Sequence, residues 1–429
     1  MIGIRHEDKS PWETRVALVP DDVRALVRDQ GVAIEIEKSP QRTFSGDAYT
    51  EAGASVIDGA TTCPVIIGVK EVPEERIEPG RTYVFFSHTI KGQPANMGML
   101  RRLMDMRCQL IDYELIVDDA GRRLVFFGRH AGLAGMIDGL SLLGRRWQAE
   151  GLETPFLDIE QASRYADATA AKAAVEAVGK RIATEGLPEP CRPLVCGFAG
   201  YGNVSIGAQE IYDLLPVEEI EPAALEAIPA AADVCFKTVF REEHMVEPVT
   251  AAAGFDLSDY FANPDRYRGR FTPYLPSLTI LVNGIYWDAR YPRLVTNEAL
   301  GDLYAEPNQA RLRVIADISC DIEGAIECTV RATDPGNPSF VYEPATGATI
   351  DGVEGAGPVI MAVDTLPCEL PVDASTDFSR AFGPFVHTLA NSDWAAPLSD
   401  SGLPPELLRA TIVYQGELTE PYRYLRQYL

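Results

Sequence analysis

The sequence predicts an α/β protein with two domains, each built on a mainly parallel sheet. Three observations predict it: the length of 429 residues, an alternation of short apolar runs with helical stretches, and a glycine-rich turn near the middle of the chain. Chains of this length commonly form two or three domains. A composition of 46% hydrophobic and 24% charged residues provides enough apolar side chains for buried cores.

The first 128 residues alternate helix and strand patterns. Pro20 and the acids after it begin a predicted helix with apolar residues on one face, and Gly31 is a suitable end. The alternating segment 32–36 predicts a strand. Further apolar runs predict strands at 65–69, 83–86 and 110–113, with a helix over 96–106.

The remainder of the chain repeats this pattern. Clustered glycines from Gly128 lead into a predicted helix through Trp147, and an Ala-rich helix is predicted over 161–184. The final segment, 405–429, has helix-like stretches and little glycine. Strands are predicted at 195–198, 234–239, 279–282, 314–319 and 359–363.

The glycine-rich turn follows the apolar run 195–198 and precedes an apolar helical pattern. Gly200 and Gly202 permit a sharp turn and a close approach to a ligand, and the helix would point its free N–H groups at a phosphate. The third glycine is Gly207, so the spacing departs from G-x-G-x-x-G, and an ordinary turn before a helix is the alternative. Glu221 follows about 20 residues later, where an acid often binds the ribose of NAD and disfavours NADP.

The charge and cysteine content exclude several classes. A net charge of −25 argues against nucleic acid and anionic membranes as partners. No apolar run approaches the roughly 20 residues of a membrane span, and the first residues lack a signal-peptide pattern, so we expect a cytoplasmic protein. Eight cysteines without a Cys-x-x-Cys pair predict reduced, mostly buried thiols and no metal site.

Charged residues follow three of the predicted strands of the first domain. Lys70, His88 and Glu114 each come at or just after the end of a strand, and neighbouring parallel strands would bring them to one edge. Such a group can transfer protons because each member changes the pKa of the others. The alternative is that strand ends are simply polar.

Other candidates are arginines and strand-end acids. Arg15 and the pair Arg122 and Arg123 offer planar forks that match carboxylates, although surface arginines are common. Ser319, between two aspartates, and Asp364 end predicted strands of the second domain, where a bound cofactor would face the first domain.

Motifs along nearly the whole chain resemble one family. The chain resembles the lysine–2-oxoglutarate reductase half of aminoadipic semialdehyde synthase and, more distantly, lysine-forming saccharopine dehydrogenase and alanine dehydrogenase. The matching segments are Glu13-Thr-Arg-Val-Ala-Leu-Val-Pro20, Gly68-Val-Lys70, Phe85-Phe-Ser-His-Thr-Ile-Lys91, Ile111-Asp-Tyr-Glu114, Ala131-Gly-Leu-Ala-Gly-Met-Ile-Asp138, Gly200-Tyr-Gly-Asn-Val-Ser-Ile-Gly-Ala-Gln-Glu-Ile211, Leu281-Val-Asn-Gly-Ile-Tyr-Trp287, Ile315-Ala-Asp-Ile-Ser319 and Val363-Asp-Thr-Leu-Pro367.

The resemblance implies two Rossmann-like domains with an active-site cleft between them. Residues 1–128 and 366–429 would form the substrate domain, because the chain returns to its first domain, and residues 129–365 would bind the dinucleotide. The resemblance further implies an NAD(P)-dependent oxidoreductase that joins L-lysine to 2-oxoglutarate and reduces the imine to saccharopine.

Residue roles follow from the matched motifs. The resemblance implies that Lys70 and His88 are the acid–base pair, that Glu114 and Glu71 tune them, and that Arg15 and Arg123 clamp the keto acid. Asp364 would lie in the cleft and contribute to substrate binding. The implied cofactor residues are Gly200, Gly202, Asn203, Val204, Glu221 and Ser319.

Alternatives remain at this point. Glu221 favours NAD whereas the family implies NADP, and we predict NADP with NAD as the alternative. The chain ends at Leu429 without the second half of the bifunctional enzyme, so a separate saccharopine-cleaving dehydrogenase or another amine donor is expected. A lysine-forming saccharopine, opine or alanine dehydrogenase is one rival, and a non-catalytic nucleotide-sensing protein is another. The oligomeric state, a homo-oligomer included, is left open.

Overall fold

The computed structural model describes residues 1–250, 254–306 and 310–429, which divide into two compact units. Unit 1 comprises Met1–Phe127 and Pro371–Leu429, and unit 2 comprises Gly128–Leu370. These bounds lie within a few residues of the domain boundaries expected from the sequence. The roles assigned to the two domains stay predictions.

The N-terminal part of unit 1 alternates strands and helices. Its first helix begins at Pro20 and ends before Gly31, whose φ of 68° suits glycine. The elements are β1 (Ile2–Ile4), α1 (Pro20–Gln30), β2 (Ile34–Glu37), α2 (Gly46–Glu51), β3 (Ser55–Ile57), β4 (Val65–Ile67), β5 (Thr82–Phe85), α3 (Pro94–Asp105) and β6 (Gln109–Asp112).

Unit 2 continues the pattern with longer helices. The helix predicted over 161–184 begins only at Ala168, because the Asp167 carboxylate accepts a hydrogen bond from the Ala170 N–H and caps it there. The elements are α4 (Gly128–Ala149), α5 (Ala168–Glu185), β7 (Leu194–Ala199), α6 (Asn203–Tyr212), β8 (Val217–Glu219), β9 (Cys235–Phe240), α7 (Glu242–Met245), β10 (Val246–Pro248), α8 (Leu257–Ala262), β11 (Tyr267–Gly269), β12 (Ile280–Asn283), α9 (Asn297–Leu303), β13 (Val314–Asp317), β14 (Ser339–Glu343), β15 (Ala348–Asp351) and β16 (Val359–Met361).

The C-terminal part returns to unit 1 with a long helix and a hairpin. Ser375 and Ser379 of this helix accept hydrogen bonds from the Val16 and Val19 N–H groups at 3.0 Å. The helix-like stretches predicted within 405–429 are one short α-helix and a 3₁₀ helix at Glu420–Tyr428, and two strands lie between them. The elements are α10 (Pro371–Asn391), α11 (Pro405–Ala410), β17 (Thr411–Tyr414) and β18 (Glu417–Leu418).

Each unit contains one large sheet. In the described ranges, the sheet of unit 1 has eight strands in the order β18-β17-β6-β5-β4-β1-β2-β3. The six strands from β6 to β3 are parallel, and β17 and β18 add an antiparallel edge. The carboxyl ends of β4, β5 and β6 therefore lie side by side.

The sheet of unit 2 has the order β15-β14-β16-β13-β12-β7-β9-β8 among the residues described. Strands β16 to β8 are parallel, and β14 and β15 are antiparallel. The prediction of two α/β units with mainly parallel sheets is confirmed. One detail departs from the usual dinucleotide-binding order: β9 lies between β7 and β8, although β8 comes first in the chain.

Two glycines allow α4 and α6 to pack closely. A Cβ atom at Gly207 would lie 2.1 Å from the Arg129 carbonyl oxygen, and one at Gly132 would lie 2.0 Å from the Val204 carbonyl oxygen. Neither position can carry a side chain without moving backbone. The third glycine of the central motif thus serves the close packing of α6 on α4.

All eight cysteines are free thiols, and seven of them are buried. In the described part of the chain, no helix combines the length and apolar character needed to cross a bilayer.

Candidate active site

Lys70, His88 and Glu114 follow three adjacent strands of unit 1. Lys70 comes shortly after β4, His88 after β5, and Glu114 after β6. The three strands are parallel neighbours, paired in register from Val65 opposite Thr82 onward. The three residues therefore lie along one edge of one sheet, where ligands of parallel α/β sheets bind.

A buried carboxylate contacts the imidazole at this edge. The Oε1 atom of Glu71 lies 2.7 Å from the Nδ1 atom of His88 and 2.7 Å from the Nζ atom of Lys9. Burial raises the pKa of Glu71, but the hydrogen bonds from His88 and Lys9 outweigh it and lower the pKa to about 2. Glu71 is therefore ionised at neutral pH and leaves the Nε2 atom of His88 to face other partners.

The backbone of His88 is held in an uncommon conformation. Its φ is 47°, in the left-handed region that non-glycine residues seldom occupy. The Asn96 amide donates to the His88 carbonyl at 3.1 Å, and the preceding Ser87 N–H donates to the Asp112 carboxylate at 3.0 Å. These contacts hold the backbone at His88, and the bond from Nδ1 to Glu71 holds the imidazole.

Asp112 is the buried anchor of this loop. Burial raises its pKa to about 6, although hydrogen bonds from Ser87 and from the Glu114 N–H lower it. Its two oxygens join the loop after β5 to the turn after β6. The position of His88 thus depends on a side chain of the neighbouring strand.

Lys70 is positioned through its backbone. The Val69 and Lys70 N–H groups donate to the two carboxylate oxygens of Glu7 at 2.7 and 3.0 Å. Glu7 is buried, and burial raises its pKa against the opposing effect of Arg5. Within the described residues the Lys70 ammonium makes no hydrogen bond or ion pair, so it is available to a ligand.

The two predicted carboxylate clamps each face a carboxylate of the chain itself. The Arg15 guanidinium bonds Glu13 through Nε at 2.8 Å and Nη2 at 2.6 Å, and lies 4.2 Å from the centre of the Phe127 ring. Arg123 pairs with Glu114. The side chain of Glu114 therefore engages Arg123, while Glu71 is the acid that contacts His88.

In unit 2 the glycine turn continues from β7 into α6. Gly200 has a φ of 94°, which requires glycine, and its N–H donates to the Phe240 carbonyl at 3.1 Å. Gly202 has ordinary backbone angles, and a Cβ atom there would meet nothing within 4 Å. Gly200 allows the chain to turn, and Gly202 leaves open space before Asn203 and Val204 at the start of α6.

A buried network supports the neighbouring strand ends. Asp317 accepts hydrogen bonds from Asn283 at 2.8 Å and Thr329 at 2.6 Å, and burial raises its pKa to about 6 against these hydrogen bonds. Ser319 donates to the Ile285 carbonyl at 2.6 Å. Asp364, which follows β16, is exposed.

Glu221 is not beside the strand that precedes the glycine turn. It is exposed just after β8, and β9 separates β8 from β7. The prediction assumed that the next strand in the chain is the next in the sheet, and the strand order shows that this assumption was wrong. Two strand spacings place it roughly 10 Å from the line of β7.

Sequence reasoning missed four residues at these edges. Glu7 and Lys9 follow β1, the neighbour of β4, and applying the strand-end rule to this first strand would have found them. Arg241 follows β9, whose place beside β7 could not be read from the sequence. Tyr201 lies within the glycine turn itself.

Two parallel α/β units, one with a glycine turn of the dinucleotide-binding kind, define a class: the fold is that of the NAD(P)-dependent dehydrogenases. Models of the family described as "Alanine dehydrogenase/PNT" match residues 3–134 as the N-terminal domain and 278–421 as the C-terminal domain. The chain belongs to this alanine dehydrogenase/PNT family, and the resemblance stated from the sequence is confirmed.

Relatives refine this placement. The chain is 38% identical to alpha-aminoadipic semialdehyde synthase of Arabidopsis thaliana over 99% of its own length, but spans only 41% of that relative. It is 28% identical to saccharopine dehydrogenase [NAD(+), L-lysine-forming] of Candida glabrata over 90% of this chain and 91% of the relative. A solved L-alanine dehydrogenase has the same fold, with a TM-score of 0.62, 18% identity, and coverage of 100% of this chain and 98% of that one.

Proposed function

We propose that this protein condenses L-lysine with 2-oxoglutarate and reduces the resulting imine with NADPH to saccharopine. The observation that carries the proposal is the edge of unit 1, where Lys70 and His88 follow adjacent parallel strands and the His88 imidazole is bound to the ionised Glu71. The 38% identity to a synthase of aminoadipic semialdehyde supports the substrate pair.

The first step of the proposed reaction is removal of a proton from the lysine substrate, which requires a base. An ε-ammonium has an ordinary pKa near 10.4 and is not nucleophilic until it loses a proton. His88, with Nδ1 held by Glu71, would accept that proton at Nε2. The free amine then adds to the ketone carbon of 2-oxoglutarate and forms a carbinolamine.

Loss of water completes the imine. The carbinolamine hydroxyl must leave with a proton, which the Lys70 ammonium or the protonated His88 can donate. Glu71 stabilises the positive charge on the imidazole throughout. Loss of water leaves the imine protonated at nitrogen; a bound nicotinamide would supply hydride to its carbon, and the secondary amine of saccharopine would result.

Charged side chains would hold the substrates. Arg15 and Arg123 are the proposed partners of the dicarboxylate, and each would exchange or share a bond with Glu13 or Glu114. Glu71 is proposed to attract the cationic lysine substrate, and Asp364 of unit 2 is kept as a proposed substrate-binding residue.

The dinucleotide would bind at the glycine turn. We propose that the pyrophosphate lies against Gly200 and Gly202 and accepts hydrogen bonds from N–H groups at Asn203 and Val204. Ser319 follows the second strand along from β7, near the same carboxyl edge. NADP is the proposed coenzyme and NAD the alternative.

The test is absorbance at the nicotinamide band with lysine, 2-oxoglutarate and NADPH or NADH. We expect oxidation only when both substrates are present, with saccharopine identified by mass spectrometry. Omitting lysine, or replacing it with ammonia, is the control. NADPH binding without turnover on any amine and keto-acid pair would favour the nucleotide-sensing alternative instead.

One rival reaction has a specific observation in its favour. The chain matches 91% of the length of the Candida glabrata saccharopine dehydrogenase. The name of that enzyme describes formation of lysine, which is the same bond change in the opposite direction. Initial rates with saccharopine and NAD⁺ against lysine, 2-oxoglutarate and NADPH separate the two.

A further inference from the structure

The strand order of unit 2 places an arginine beside the glycine turn. Strands β7 and β9 are paired in register up to Ala199 opposite Phe240. The next residue on one strand is Gly200, and the next on the other is Arg241. In dinucleotide-binding sheets, the residue that follows the strand beside the first one contacts the adenosine ribose, and its charge distinguishes the coenzymes.

Arg241 contacts the turn directly. Its guanidinium carbon lies 4.8 Å from the centre of the Tyr201 ring, which belongs to the turn. Its side chain is exposed, and among the described residues its guanidinium forms no hydrogen bond or ion pair. A positioned but unpaired guanidinium matches a phosphate in geometry and charge.

The two acids near this arginine do not follow β9 directly, as Arg241 does. Glu242 directs its carboxylate to the Tyr201 hydroxyl, 3.1 Å from Oε2. Glu221 follows β8, which lies beyond β9 at the edge of the sheet. The last residue of β8, Glu219, pairs with Lys237, and β9 continues for three more residues before Arg241. Arg241 is thus the charged residue that directly follows the strand beside β7, while the carboxylate of Glu242 is bonded to the Tyr201 hydroxyl.

We propose that Arg241 binds the 2′-phosphate of NADPH and gives this protein its preference over NADH. The inference rests on the proposed binding of the dinucleotide at the glycine turn, and it names the residue that distinguishes NADPH from NADH. Tyr201 acts as a positioning residue that holds the guanidinium flat. No step of the hydride transfer depends on either side chain.

Binding without substrates tests this inference. The full chain is titrated with NADPH and with NADH, followed by nicotinamide fluorescence, and then with 2′,5′-ADP and 5′-AMP by calorimetry. We expect tighter binding of NADPH and of 2′,5′-ADP. Arg241→Gln should weaken both by roughly 10- to 100-fold and leave NADH and 5′-AMP within about twofold, as loss of a charge-assisted contact predicts.

Three variants act as controls. Arg241→Lys keeps the charge and should retain part of the preference, while Glu221→Gln should leave the NADPH to NADH ratio unchanged. Glu242→Gln should also preserve the ratio. Tighter NADH binding by the wild type, or a ratio that responds to either glutamate and not to Arg241, would overturn the proposal.

The outcome is separable from that of the proposed function. If coenzyme preference depends on Arg241 but lysine and 2-oxoglutarate give no turnover, the phosphate site stands and the reaction is wrong. If NADPH is oxidised with both substrates yet Arg241→Gln keeps the wild-type ratio, the reaction stands and the phosphate site is wrong.

Discussion

The two candidate binding edges are built in opposite ways. In unit 1 the edge consists of charged side chains, with Glu71 bonded to both His88 and Lys9. In unit 2 the turn before α6 consists of backbone, with Gly200 at a φ of 94° and open space at Gly202. The first can move protons, and the second can only bind and orient.

This contrast explains which substitutions each edge can tolerate. At the edge of unit 1, a change of side chain removes a chemical group while the strands remain. At the turn of unit 2, adding even a methyl group changes the shape that a ligand meets. Substitutions of each kind should therefore separate turnover, coenzyme binding and folding.

The largest effect is expected at Lys70 and His88. Lys70→Met and His88→Gln should each lower turnover by roughly 10²- to 10⁴-fold, because a proton-transferring group is lost. NADPH affinity should stay near the wild-type value. Steady-state rates and fluorescence titration measure the two quantities. The exposed residues Lys38 and His387 of the same unit provide the controls Lys38→Met and His387→Gln. Unchanged turnover in both Lys70→Met and His88→Gln would refute the assignment of these two residues.

The next effect concerns the stability contributed by Glu71. Its pKa is about 2 in the folded protein against an ordinary 4.5, so the contribution is complete above pH 4.5 and is lost as the pH falls towards 2. Glu71→Gln should cost about 3 kcal/mol at pH 6. Urea unfolding between pH 6 and pH 3, with hydrogen exchange of peptides from 65–90, should show the deficit shrinking in acid.

Glu114→Gln is the matched variant for Glu71. The Glu114 pair with Arg123 is more exposed, and pairs of that kind contribute about 1 kcal/mol or less. A deficit for Glu71→Gln that is independent of pH would contradict the electrostatic explanation.

Gly207→Ala should destabilise unit 2 by about 2 kcal/mol, since its Cβ atom would lie 2.1 Å from the Arg129 carbonyl oxygen. Gly139→Ala is the control within α4, where the Cβ atom would meet Ala316 at an ordinary 3.5 Å. That variant should be neutral or slightly stabilising because alanine favours helices. Equal stability of the two variants, measured by urea unfolding, would disprove the close-packing role.

The smallest effect is expected from Gly202→Ala. Its backbone angles suit alanine and nothing lies within 4 Å of the added atom, so the free energy of unfolding should not change. NADPH affinity should fall about tenfold if the pyrophosphate lies there. Gly301→Ala in α9, also open, should leave affinity intact. Normal NADPH binding by the Gly202→Ala variant would show that the pyrophosphate does not lie at this turn.

Much of the fold follows from local patterns. The strands ending before Lys70, His88 and Glu114 were predicted because buried parallel strands are short apolar runs, and the structure contains them. The hairpin β17–β18 was missed because its strands are short and its pairing partner, β6, lies about 300 residues earlier.

The site was predictable only where residue type carries the chemistry. Lys70 and His88 stand out at strand ends, whereas the partnership of His88 with Glu71 depends on a backbone with φ of 47° that no spacing reveals. Glu221 was predicted to bind the ribose because it follows the next strand along the chain, but in unit 2 that strand, β8, is not the neighbour of β7. Arg241 became visible only when β9 was seen beside β7.

The division of unit 1 between two distant stretches of chain has a consequence for biosynthesis. Unit 2 is one continuous segment, Gly128–Leu370, and can complete its core as soon as it emerges from the ribosome. Unit 1 must wait for Pro371–Leu429, and until then β6 exposes the edge that β17 later covers. A nascent chain stalled in this last stretch should therefore be the form most prone to aggregate.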